Sequence, residues 1–309
     1  MITLSNGHSF EFMAASGALA YDGRGWPWEC PLRWMKLIQP ELFTIVTKSL
    51  TLKTRKGNLR WWNPLRCVRL IRGGAVNAVG LTNPGIDWWI RDVYPKIAAS
   101  KLNIIVSIVG ESLQDYMELA IRLKDCEAIK AIEINASCPN SPGELQANAQ
   151  TVIDTAQALK YVTKLPLILK LSCTHDYVHI AQALEKTVAP PPVPGQDARS
   201  AGWTGGGVEA ISINSVPWSV AFPDKKSPLA KFGGGAVSGK AAQIYTWKMV
   251  ENLAANTNIP VIGASVWDYE DIEKIFGLGA KAVAFGSIFL KYPWRPTEFV
   301  NRWRENQKN

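Results

Sequence analysis

A cysteine, two lysines and several asparagines stand where apolar runs of this sequence break off. One run ends Ile134-Asn135-Ala136-Ser137-Cys138-Pro139-Asn140, another leads to Lys170, and a third ends Ile213-Asn214-Ser215. Earlier runs end Ala15-Ser16-Gly17 and Thr47-Lys48-Ser49; later ones end Gly263-Ala264-Ser265 and Gly286-Ser287. Asn77 and Asn83 flank Val79-Gly80-Leu81. Asparagine amides donate and accept, so several together can read the alternating N–H and C=O edge of a pyrimidine-like ring. Lys48 and Lys170 bring positive charge for an anionic flavin or a substrate carboxylate. Cys138 is the proton-transfer candidate of the set whose pKa lies near the working range. The turns at Gly263 and Gly286 offer backbone N–H groups for a phosphate.

Taken singly, these residues have plainer readings. A lone cysteine is commonly a small buried residue, and an asparagine after a strand is commonly a turn former. Phe232-Gly-Gly-Gly235 reads first as a loop. Lys170 is harder to set aside, because it ends a strongly apolar run and a buried ammonium needs an anionic partner. His175 and His179 stand four apart, but without a neighbouring acid or third ligand they read as a helix face. The cysteines (Cys30, Cys67, Cys126, Cys138, Cys173) are odd in number and form no CxxC pair. That argues against a disulfide framework and against zinc, so no metal is expected.

Short β-branched runs alternate with amphipathic stretches along the chain. Strands are predicted at Phe10–Ser16, Leu42–Lys48, Asn103–Val109, Ala131–Ser137, Leu167–Leu171, Val208–Asn214, Pro260–Ala264 and Ala282–Gly286. Several are nearly continuous apolar runs, as suits a parallel sheet buried on both faces. Ser112-Leu-Gln-Asp115 resembles a capping box, and Asp268 is placed to cap a helix carrying Ile272, Ile275 and Phe276. Eight strands, with no GxGxxG after any of them, fit a (β/α)₈ barrel better than an open dinucleotide-binding sheet. Catalytic groups of such a barrel sit at the C-terminal ends of its strands, where the residues above fall. Excursions are expected after the second strand (49–75), after the fourth, and before the sixth, in the Pro- and Gly-rich stretch 187–207.

The 309 residues are 47% hydrophobic and 10% aromatic, which excludes disorder, collagen and coiled coil. A single barrel domain spanning 1–309 accounts for that length. The net charge of +8 is spread without a Lys/Arg block, so nucleic acid gets no local support and anionic metabolites remain. No apolar run approaches the roughly 18 residues of a membrane span. Met1–Phe12 has no basic residue and carries Glu11, unlike a signal peptide, so a cytoplasmic protein is expected.

Asn135-Ala-Ser-Cys-Pro-Asn140 resembles the Asn-x-Ser-Cys-Pro-Asn loop of class 1 dihydroorotate dehydrogenases. The resemblance extends in order over essentially the whole chain. It takes in Ala15-Ser-Gly17, Thr47-Lys-Ser49, Asn77-x-Val79-Gly80-Leu81-x-Asn83, Lys170, Asn214-Ser215, the Gly233–Gly239 loop and Gly286-Ser287. It implies an FMN-containing (β/α)₈ barrel, a TIM barrel, that oxidises dihydroorotate to orotate in pyrimidine biosynthesis. Cys138 would take the proton from C5, with hydride passing from C6 to flavin N5. Lys48, Asn77, Val79, Gly80, Leu81, Asn135, Asn140, Asn214 and Ser215 match substrate-contacting positions. Ala15, Ser16, Gly17, Lys48, Ser49, Asn135, Lys170, Ile213, Gly239, Gly263, Ala264, Gly286 and Ser287 match flavin-contacting ones.

Cysteine as the base implies the soluble class, since the membrane-linked class uses serine. A homodimer is expected by the same resemblance, and an iron–sulfur partner subunit stays open, since this chain lacks clustered cysteines of its own. One departure stands out. Where the family usually shows Gly-x-Gly-Gly after the seventh strand, this chain has Gly263-Ala264-Ser265-Val266-Trp267, one residue shorter. Two other readings compete: an FMN reductase acting on dihydrouridine in RNA, and a paralogue acting on another dihydropyrimidine. The first would need an RNA-binding helical domain, for which no room is expected after the last strand.

Overall fold

In a computed structural model of the chain, the residues described are 1–60, 62–136, 148–186 and 207–308. The Pro-rich stretch 187–206 and the segment 137–147 after the fourth strand, both expected as excursions, lie outside them.

Eight strands close into a barrel: β1 (Phe12–Ala14), β2 (Thr44–Val46), β3 (Asn103–Ile108), β4 (Ile129–Asn135), β5 (Leu167–Leu171), β6 (Ala210–Ile213), β7 (Val261–Gly263) and β8 (Ala282–Phe285). Each pairs in parallel with its neighbours in sequence, and β8 closes on β1. Helices Leu113–Arg122, Ala149–Val162, Tyr177–Glu185, Gln243–Asn256, Asp271–Gly277 and Arg295–Asn306 follow β3 to β8. The Asp115 N–H donates to Ser112 Oγ at 3.2 Å, as a capping box requires. The reciprocal bond goes one residue further out, with the Glu111 N–H donating to Asp115 Oδ2.

The period of two along each strand separates two cores. Outward-facing Ile104, Val106, Ile132, Ile134, Leu167 and Leu169 pack beneath the helices. Inward-facing Met13, Val46, Ile105, Ala131, Ile168, Ala210, Ile262 and Ala282 fill the barrel interior. The expected first strand, Phe10–Ser16, divides at Glu11. Ser9–Phe10 pairs antiparallel with Ile2–Thr3, and Ile2, Leu4 and Phe10 of this hairpin plug the N-terminal end of the interior. Glu209 clasps the plug, accepting from the Ser5 N–H and Ser5 Oγ at 2.7 Å each and from Lys160 Nζ at 3.4 Å.

The excursion after β2 forms a hairpin, Val68–Ile71 with Gly74–Asn77. Its partner was not expected. Gly233, Gly234 and Gly235 all take positive φ, as the loop reading requires, but Ala236–Gly239 then pairs antiparallel with Gly74–Asn77. Val216–Pro217 completes a four-stranded sheet over the mouth of the barrel. A Cβ on Gly74 would stand 2.0 Å from Ser238 O, so the close approach of these two strands requires glycine there. The excursion after β6 is therefore as much a part of the roof as the one after β2.

Removing the clasp should loosen the plug. Glu209→Ala leaves two donors of Ser5 and one of Lys160 without their acceptor, and should cost about 2 kcal/mol in urea denaturation. A loss below about 0.5 kcal/mol would show that the hairpin holds by apolar burial alone.

Candidate functional site

The strand ends and the roof enclose a cavity of about 310 Å³, within the range of small-molecule sites. Every described residue matched to a substrate or flavin position lines it except Gly263. Ala15, Ser16 and Gly17 come from the end of β1, and Lys48 and Ser49 from the end of β2. Asn135, Lys170, Ile213, Asn214 and Ser215 come from β4 to β6. Ala264, Gly286 and Ser287 close the far side after β7 and β8, while Asn77, Val79, Gly80, Leu81 and Gly239 descend from the roof. Cys138 and Asn140 lie outside the described residues. Gly263 faces outward by strand alternation, and a Cβ there would meet Ile275 Cγ2 at 2.2 Å. Its role is close packing of β7 on the following helix.

The cavity floor is polar and buried. Lys170 Nζ stands 3.4 Å from Glu133 Oε1, with side chains only 9% and 1% exposed. The anionic partner that Lys170 demanded is thus supplied from within the protein. Glu133 also accepts from Ser107 Oγ at 2.9 Å and Ser212 Oγ at 3.1 Å. Ser49 Oγ lies 2.9 Å from Ser107 Oγ and accepts from Asn135 Nδ2 at 3.0 Å. Ser16 Oγ donates to Thr47 O at 2.9 Å. Hydrogen-bonding side chains therefore span β3 to β6 and reach the loops after β1 and β2. Glu133 was not singled out from the sequence, although an acid at the centre of the apolar run Ile129–Asn135 was a visible signal.

The roof is held under strain. Gly80 and Leu81 take φ of +66° and +56°, and a leucine in the left-handed region is costly. Asn83 compensates: buried beside the cavity, it donates from Nδ2 to Leu81 O at 2.7 Å and accepts from the Thr51 and Gly85 N–H groups. Of the two asparagines flanking this loop, Asn77 lines the cavity and Asn83 clamps the backbone.

The loop after β7 replaces expected glycine by a different device. Ser265 sits at φ +68°, and Gln243 Nε2 donates to its carbonyl at 3.0 Å. Asp271, buried, accepts from the Trp267 and Asp268 N–H groups at 3.0 Å each and from Gln243 Nε2 at 2.8 Å. The helix thus begins at Asp271, whereas Asp268, expected as its cap, pairs with Lys240 at 2.9 Å. The short loop keeps its backbone conformation through a buried carboxylate, and Ser265 and Val266 line the cavity.

Aromatic walls were also missed. Trp26 and Trp28, in the loop after β1, stack with centroids 5.3 Å apart and line the cavity, and Trp26 Nε1 donates to Gly17 O. Their position just after the first strand was readable, since that is the face where a barrel builds its site. Glu29 fixes this loop by accepting from the Trp26 N–H at 2.7 Å, and burial raises its pKa to about 7. Burial likewise raises the Cys67, Cys126 and Cys173 thiols. His175 Nδ1 accepts from the Ser172 N–H. Among the described residues no group of three His, Cys, Asp or Glu converges as a metal site would.

Two outcomes follow. Asp271→Ala leaves two backbone N–H groups and an amide unpaired in the interior, and should destabilise the fold by about 2–4 kcal/mol in chemical denaturation. Full stability of the variant would contradict the assigned role. Because Glu29 holds its proton more tightly folded than unfolded, its contribution to stability is present at acid pH and is lost as pH rises from about 4.5 to about 7. Melting temperatures of Glu29→Gln and wild type should therefore diverge in the variant's favour across that window. Parallel curves would show that Glu29 does not titrate there.

Residues 23–190 match the family model described as dihydroorotate dehydrogenase. The catalytic subunit of dihydroorotate dehydrogenase B (NAD(+)) from Desulforudis audaxviator is 32% identical over 258 residues, covering 82% of this chain and 76% of the relative. The corresponding subunit from Bacteroides thetaiotaomicron is 30% identical, covering 79% and 74%. Dihydroorotate dehydrogenase A (fumarate) from Lactobacillus delbrueckii subsp. bulgaricus is also 30% identical, covering 79% and 76%. A barrel whose cavity collects residues from the ends of seven of its eight strands, matched over most of its length by enzymes of both types, places this chain in the dihydroorotate dehydrogenase family, among the class 1 oxidoreductases.

Proposed function

We propose that this protein oxidises dihydroorotate to orotate with FMN as its cofactor and Cys138 as its base. The observation that carries the reading is the convergence of motif residues distant in sequence (Lys48 with Asn214, Ser16 with Gly286) on one cavity. A flat ligand with an anionic tail suits its lining. Small residues and hydroxyls stand at the β7–β8 side (Ala264, Ser265, Gly286, Ser287), and lysines and asparagines stand towards β2, β4 and β5. A Cβ on Gly286 would meet only Ala15, at 3.7 Å, so space is kept open there.

The residues divide the work by chemistry. Lys48 and Lys170 are the cations that would hold anionic groups of cofactor and substrate. Asn77, Asn135, Asn140 and Asn214 would grip the edges of the pyrimidine ring through amide donors and acceptors. Cys138, three positions on from Asn135, would remove the C5 proton as its thiolate. Loss of that proton and of hydride from C6 creates the C5=C6 double bond of orotate. FMN, when bound, supplies the acceptor for the hydride. The cavity walls of Trp26, Trp28, Leu59 and Val68 would keep water from the reacting carbons. We further propose that the chain works as a single barrel unit and as a homodimer. Its relatives of the NAD(+) and fumarate types are about equally similar to it, so the shared residues serve the half-reaction both types have in common.

Anaerobic mixing of the FMN-loaded protein with dihydroorotate tests this reading. The flavin band should bleach, and Cys138→Ala should slow bleaching by roughly 10²–10⁴-fold while leaving the flavin bound. A wild-type protein that is not bleached by dihydroorotate, or a Cys138→Ala variant as fast as wild type, would overturn it.

A further inference from the structure

The inward-facing positions of β3 to β6 change character at one step. Ile105, Ala131, Ile168 and Ala210 belong to the apolar interior, and the next inward residues on the same strands are Ser107, Glu133, Lys170 and Ser212. Glu133 is the centre of this layer. It contacts groups from three other strands: Ser107 of β3, Lys170 of β5 and Ser212 of β6.

Proton counting gives the layer a direction. A carboxylate only accepts, so the single hydroxyl hydrogen of Ser107 is spent on Glu133. Ser49 has two hydroxyl contacts, Ser107 Oγ at 2.9 Å and Ser16 Oγ at 3.2 Å; Ser16 has Thr47 O for its own hydrogen, so the hydrogen of Ser49 goes to the shorter contact, Ser107. Ser49, having spent its hydrogen, can only accept from Asn135, which therefore turns Nδ2 and not Oδ1 towards it. An asparagine free to flip would offer a ring either a donor or an acceptor at the same place. Here the amide is set by a carboxylate two hydroxyls away. The same carboxylate holds the Lys170 ammonium at the cavity floor and opposes its charge.

We propose that Glu133 is a positioning residue for the reaction, a single buried carboxylate that anchors Lys170 and, through Ser107 and Ser49, fixes the facing of the Asn135 amide. Glutamine is not equivalent: its single acceptor oxygen can serve Lys170 and Ser107, or Ser212, but not both sides, and it carries no charge to oppose the ammonium. The inference rests on the proposed function in taking Lys170 and Asn135 as ligand contacts.

Two variants separate the two arms, and both measurements avoid turnover. Glu133→Gln leaves the Lys170 charge unopposed, which favours the more negative, reduced form of a bound flavin. The midpoint potential, measured by chemical reduction against reference dyes, should rise, and orotate should bind roughly tenfold more weakly or worse. Ser107→Ala cuts the link to Asn135 but keeps the Lys170–Glu133 pair, so orotate affinity should fall by a similar factor while the potential stays at the wild-type value. A Glu133→Gln protein with unchanged potential would overturn the anchoring role, and unchanged orotate affinity in Ser107→Ala would overturn the relay. If Glu133→Gln does not fold, Ser107→Ala and Glu133→Asp, which retains the charge and should keep the potential near wild type, decide the matter. Because the potential is read without dihydroorotate, these outcomes are distinguishable from a failure of the wild-type protein to oxidise that substrate.

Discussion

Burying a lysine and a glutamate in the centre of a barrel is possible only if each satisfies the other and the remaining lone pairs find donors. An ion pair in a low-dielectric interior contributes little net stability by itself, and removing one partner leaves a charge that nothing compensates. The Glu133–Lys170 pair meets the requirement through Ser107 and Ser212, one on each side. This constraint divides the barrel in two. Below it, aliphatic side chains and the N-terminal plug make a dry core; above it, every inward position can be polar, because the layer beneath already presents hydrogen-bonding groups. The site is thus a continuation of a satisfied polar layer, and its side chains are held by neighbours before any ligand arrives.

The roof obeys a different logic. It is made by two excursions distant in sequence, Val68–Asn77 and Val216–Gly239, joined as one antiparallel sheet. Of the four described non-glycine residues with positive φ, Leu81 and Ser265 stand where this roof and the β7 loop meet the cavity, and Ala20 and Lys36 lie in the segment after β1. The first two are held by side-chain clamps behind them, Asn83 for Leu81, and Gln243 with Asp271 for the segment around Ser265. Backbone strain of this kind persists only where surrounding bonds over-determine it, and it clusters at binding sites. The loop after β7 is an instance of the same rule, with a buried carboxylate bracing the segment around Ser265.

Most of the barrel was legible because its strands are buried on both faces and therefore apolar in nearly every position. Lys170 was legible for the converse reason, a charge inside such a run. Glu133 carries the same signal but sits one pleat below the strand ends, where the loops of a barrel site begin. Gly263 does not line the cavity: counting by two from Val261 turns its Cα hydrogen outward, to the helix. Asp268 is spaced to cap, but its carboxylate pairs with Lys240, and Asp271, the first residue of the helix, turns its own back onto the Trp267 and Asp268 N–H groups and Gln243. The pairing of Gly74–Asn77 with Ala236–Gly239 has no local trace at all, since nothing in either run names its partner. The aromatic pair Trp26–Trp28 carries no chemical signal beyond its residue type, and only its place after the first strand points to the cavity.

The proposed reaction requires the ring to be oxidised to lie on the polar floor organised by Glu133. A crystal structure of the protein grown with FMN and orotate tests it most directly. Electron density for orotate in the cavity, with Asn135 Nδ2 still on Ser49 and Lys170 still on Glu133, is the predicted result. Orotate bound elsewhere, or a floor rearranged so that Glu133 no longer meets Lys170, would contradict it.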